Sequence, residues 1–170
     1  MPRMRRRLLS SISILAAALL VTRCGSSTTS PSTGGSCGTV STAHGTISAQ
    51  VDGAAWSGTV TATINANNIV GIGGSDGCSP GTNVSFAVLP GTFQPATFNL
   101  NDPSGLNSVL SIGPVNLWVA NTTGGSGKVT FTTLTRAAAS GTFQFGYVAA
   151  PSSGASGTHT VTNGVFNVTF

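Results

Sequence analysis

The chain has 170 residues, 39% of them hydrophobic and only 6% charged, with a formal net charge of +4. It holds three aspartates and no glutamate, so hydrolysis by paired carboxylates, which needs two acids facing across a cleft, has little to draw on. Most of the positive charge lies in Arg3, Arg5, Arg6, Arg7 and Arg23; after these, Lys128 and Arg136 face Asp52, Asp76 and Asp102, no basic cluster is left to follow a phosphate backbone, and nucleic-acid binding is not expected.

The first predicted element is an export signal over residues 1–23: an arginine cluster, then the apolar run LLSSISILAAALLV, then a cysteine among small polar residues. The run is shorter than the roughly 20 residues that a membrane-spanning helix needs. The segment VTRC followed by GSSTTSPSTGGS resembles the lipobox and tether of bacterial lipoproteins, which implies diacylation of Cys24 as the new N-terminus. Arg23 departs from that pattern, and cleavage after Ser26 is the alternative. Residues 24–42 then read as a flexible Ser/Thr/Gly tether. Residues 43–170 are enough for one domain.

Across that domain apolar residues alternate at period two, which predicts strands. Ile47, Ala49 and Val51 share a face, and Asp52 with Gly53 closes a tight hairpin. Val60, Ala62 and Ile64 follow, then a turn over 65–68, then a strand with Ile69 and Ile72 as its bulk. Val84, Phe86 and Val88 form the next, ended by Pro90 and Gly91. Segments at 91–93 and 96–100 flank Pro95, which suggests an edge or a bulge. Val115, Leu117 and Val119 group together with Trp118 opposite, and Val129 with Phe131 and then Phe143, Phe145 and Tyr147 continue the alternation. The final segment, HTVTNGVFNVTF, reads as a hairpin turning at Asn163–Gly164, with Phe166, Val168 and Phe170 on one face. The expected fold is an all-β antiparallel sandwich of nine or ten short strands, with a closed β-barrel as the alternative.

Gly53 and Trp56, the SGTFQF stretch at 140–145, and Thr162, Asn163, Gly164, Phe166, Val168 and Phe170 together resemble a group of small bacterial lipoproteins of unknown function. Those proteins carry a Gly-x-x-Trp turn, an SGTFxF strand and a TNGxFxVxF closing hairpin. The resemblance implies an exported β domain and assigns no activity.

Outside the cytoplasm two remaining thiols usually pair, so Cys37 and Cys78 are candidates for a disulfide, against free thiols or metal ligands. No HxH, HxxxH or CxxC spacing accompanies His44 and His159, and no metal or other cofactor is expected. The aspartates sit in turn contexts, and no GxSxG elbow accompanies the many serines, so no catalytic residue is assigned. Trp118, Trp56 and Tyr147 are the candidate ligand contacts, since flat rings on a polar β surface could stack on sugars; the competing reading places the tryptophans in the core. The expected function is that of a monomeric, lipid-anchored protein of the bacterial cell envelope, or else a periplasmic or secreted one, held at the membrane through its N-terminal lipid. It would bind a glycan or an envelope protein without catalysis, with a passive structural component or a small hydrolase as alternatives.

Overall fold

The computed structural model describes residues 44–170. The expectations for the leader, the tether, Cys24 and Cys37 lie outside these residues. Ten antiparallel strands form one sheet: β1 (Gly45–Val51), β2 (Ala54–Ile64), β3 (Val70–Ser75), β4 (Thr82–Val88), β5 (Ala96–Asn99), β6 (Asn107–Ile112), β7 (Asn116–Ala120), β8 (Ser126–Leu134), β9 (Ala138–Ala149) and β10 (Thr158–Thr169). The all-β, antiparallel class and the strand number are those expected from the alternation. Hydrogen bonding runs β10-β1-β2-β3-β4-β6-β7-β9 and returns from β9 to β10, so the sheet closes in a ring.

Local chemistry explains the tight turns. Asp52 and Gly53 take φ of 50° and 81°, the left-handed pair that a two-residue hairpin demands, and Val51 pairs with Ala54 across it. Between β2 and β3, Asn65 Oδ1 accepts the N–H groups of Asn67 and Ile69, both at 2.9 Å, and fixes the turn from within.

The ring closes at a narrow seam. β7 and β8 lie one after the other along the same edge of β9: Trp118 and Val119 pair with Ala149 and Val148, and Ser126 resumes the ladder opposite Gly146. Residues 121–125 loop out between them, held by reciprocal bonds between Asn121 and Gly124. β5 pairs with the far edge of β8.

The interior is filled with side chains. Phe86 lies 5.4 Å from Phe143 and 5.5 Å from Phe166 between ring centroids, and Phe131 meets Phe166 edge-on at 5.3 Å. Such tilted and edge-on contacts suit the aromatic quadrupole and add to the area buried. Trp56 is packed by small neighbours: a Cβ on Gly74 would come within 2.9 Å of its ring, and one on Gly58 within 3.0 Å. Its Nε1–H donates to the Thr82 carbonyl at 3.3 Å.

Four expectations need correction. The closing hairpin does not form: β10 is one continuous strand, and Asn163, with φ 52°, makes a bulge where its ladder with β9 skips from Val161 to Gly164. Gly164 is needed there because a Cβ would lie 2.5 Å from the Phe143 carbonyl oxygen. On β7, Trp118 and Ala120 point inward while Val115 and Leu117 are exposed, the reverse of an inner Val115–Leu117–Val119 face. On β3 it is Val70, not Ile69, that shares the core with Ile72. Residues 91–93 bend instead of forming a strand, and β6 has no counterpart among the expected strands.

Candidate functional site

Outward positions on neighbouring strands line up in rows, and one row crosses five strands. Asn99 on β5 pairs with Lys128 on β8, and Lys128 with Gln144 on β9. Beyond lies the β10 bulge with Thr162 and Asn163, and Thr162 pairs with Gln50 on β1. Asn163 Nδ2 donates to Gln50 Oε1 at 3.0 Å, which orients both amides. Except for the half-buried Gln50, these side chains are exposed.

The row is flanked by two shallow depressions that share Lys128 and Gln144. One, of about 330 Å³, is bordered by Thr142, Asn163 and Val165. The other, of about 410 Å³, is bordered by Asn99, Ser126, Thr160 and Thr162. The second exists because β9 places Gly146 on its outer face, between Ser126 on β8 and Thr160 on β10, where any other residue would fill the space. The first opens beside the bulge, where the extra residue of β10 breaks the regular rows. The result is a groove lined by amides, hydroxyls, one ammonium group and the exposed Val165, together with Phe143, Phe145 and Val161, with no carboxylate among its lining residues.

A second polar cluster sits at the end of the ring. Asp52 Oδ2 lies 2.5 Å from His159 Nδ1, and Asp52 Oδ1 accepts the Thr160 N–H at 2.8 Å. Partial burial pushes the Asp52 carboxyl up, but the Thr160 N–H and the His159 contact outweigh it and hold the group below the ordinary aspartate range. The His159 ring packs edge-on against Trp118 at 4.2 Å. These contacts tie the first hairpin to β10.

The residues singled out from the sequence are placed as follows. Trp56 and Trp118 are each 6% exposed and Tyr147 is 1% exposed, so the three rings belong to the core. Trp118 Nε1–H donates to the Ser156 carbonyl at 3.2 Å. Burial drives the Tyr147 phenol well above the usual tyrosine range, with the Ser108 contact offsetting part of the effect. Cys78 lies in the β3–β4 loop, where its N–H donates to Asp76 Oδ1 at 2.9 Å, and the same oxygen accepts the Thr82 N–H at 3.0 Å. Asp76 is thus a buried loop anchor, and Asp102 ties its own turn by accepting the Asn99 N–H at 2.8 Å. No group of three or more metal-ligating side chains occurs among the described residues.

Sequence reasoning did not single out Lys128, Gln144, Gly146 or Asn163 as a site. The usable signals were a glycine at an outward position of an otherwise regular strand and an Asn-Gly pair inside a long one. Comparison with curated proteins and with solved structures gave no match. A family model described as a domain of unknown function, DUF6252, matches residues 43–168, and the chain belongs to that family.

Proposed function

We propose that this is an exported, lipid-anchored protein of the bacterial envelope whose β domain binds a polyhydroxylated ligand, a glycan, on its outer surface without catalysis. Export and anchoring are supported by the arginine cluster, the apolar run and Cys24, with the Ser/Thr/Gly segment as the tether. A Cys37–Cys78 disulfide would fasten the end of the tether to the β3–β4 loop, and is in keeping with an oxidising compartment.

The observation that carries the binding reading is the pair of depressions sharing Lys128 and Gln144. Amide and hydroxyl side chains both donate and accept, which matches the alternating needs of sugar hydroxyls. Ligand contact therefore passes from the aromatic residues to this row. With Trp56, Trp118 and Tyr147 buried, affinity rests on hydrogen bonds that compete with water, and binding is weak.

The test is a titration of the purified protein with a panel of neutral and acidic oligosaccharides, repeated with Gln144→Ala. Saturable binding weakened several-fold by Gln144→Ala supports the reading. Absence of binding across the panel overturns it and favours a passive structural component. A mass spectrum of the mature N-terminus tests the anchor: diacylated Cys24 is expected, and an unmodified terminus at Ser27 rejects it.

A further inference from the structure

The groove carries one full positive charge and nothing to balance it. Lys128 is exposed on the outer face of β8, flanked by the amides of Asn99 and Gln144. Asp102, in the adjoining turn, directs Oδ2 to the backbone N–H and side-chain amide of Asn99, at 2.8 and 3.0 Å. Among the described residues the single ion pair is Asp52 with His159, so Lys128 has no carboxylate within salt-bridge distance. On a surface this poor in charge, an unpaired ammonium at the ridge between two depressions marks where a ligand's negative charge would rest.

We propose that the groove takes an acidic saccharide, a glycan bearing a carboxylate on its sugar ring, with Lys128 meeting the carboxylate and the flanking amides and hydroxyls meeting the sugar hydroxyls. This rests on the glycan-binding reading above. Two depressions on either side of the Lys128–Gln144 ridge suit an extended chain whose successive sugars occupy each in turn. Val165, 53% exposed at the wall of the smaller depression, offers an apolar contact for the C–H face of a sugar. A carboxylate fits better than a phosphate monoester. The monoester brings nearly two negative charges against one ammonium, and no arginine lines the groove to chelate it.

The experiment uses one saccharide backbone in two charge states: an oligogalacturonate and its fully methyl-esterified form, titrated into the protein at low and at moderate salt. An exposed ion pair predicts that the acid form binds about fivefold tighter at low salt, with the advantage largely lost at moderate salt. Lys128→Gln should abolish the preference, so that this variant binds the acid form and the ester with the same affinity, with circular dichroism showing an intact fold. Equal binding of acid and ester, or a preference that survives Lys128→Gln, overturns the proposal while leaving glycan binding in place. Absence of binding by both forms and by the neutral panel overturns both. A phosphorylated oligosaccharide that outcompetes the oligogalacturonate overturns the choice of carboxylate.

Discussion

Ser108 Oγ stands 2.7 Å from the Tyr147 phenol oxygen and 2.7 Å from the Ser85 carbonyl oxygen, deep inside the ring. The serine has one proton, and a carbonyl can only accept, so Ser108 donates to Ser85 and Tyr147 donates to Ser108. Removing the serine strands a buried phenol, whereas removing the phenol leaves the serine still donating. Ser108→Ala should therefore cost about 1–3 kcal/mol and Tyr147→Phe about 0.5–1.5 kcal/mol. Urea denaturation of the two variants and the double variant checks this, and a Tyr147→Phe variant less stable than Ser108→Ala would contradict the assigned donor order.

The Asp52 carboxyl is held below its ordinary range in the folded protein, so its contribution is complete above the unfolded-state pKa and is lost as pH falls through the folded one. Its side chain is 45% exposed, which limits the effect to under about 1 kcal/mol. Thermal melts between pH 6 and pH 2 should show the wild type losing more stability than Asp52→Asn in the acid range. Parallel curves would show that the contact with Thr160 and His159 contributes nothing.

The bulge on β10 separates two neighbouring residues by their physical demands. A Cβ on Gly164 would meet the Phe143 backbone, which cannot move aside, so Gly164→Ala should lose roughly 2–3 kcal/mol. Asn163 takes a φ of 52°, which glycine also adopts, and its amide bond to Gln50 is exposed, so Asn163→Gly should fold with nearly native stability while weakening ligand binding. Denaturation midpoints for the pair test this; equal losses would argue against the close approach at Gly164.

Both tryptophans are buried, and their emission should be blue-shifted and poorly quenched by acrylamide. Saturating glycan should leave that emission almost unchanged, because the groove borders neither ring. Strong quenching by ligand would return the contact role to Trp118 or Trp56.

Much of the fold was legible because inner and outer residues alternate along most strands. β6 escaped notice for a specific reason: Ser108 occupies an inner position between Leu106 and Leu110, and a polar residue there interrupts the apolar period. On β7 the parity was readable but the inner side was not, since Val115 and Leu117 compete with Trp118 as apolar candidates. Asn163–Gly164 carries the same local signal as a hairpin turn, and only the unbroken partner strand β9 makes it a bulge. The groove was harder still. Lys128, Gln144 and Asn163 come from three successive strands, and their row depends on the register of two pairings and on the bulge between Val161 and Gly164, which no local pattern sets.

β1 finds its partners at opposite ends of the chain: β2 follows at once, but its other edge waits for β10, where Gly45 meets Val168 and the Thr169 N–H reaches the His44 carbonyl at 3.0 Å. A polypeptide emerging N-terminus first must hold that edge open until β10 appears. Assembly is thereby governed by the longest loop closure the domain contains, which makes it slow. During that interval the sticky, half-finished β1–β4 meander is the species on which a holding chaperone would have most to do.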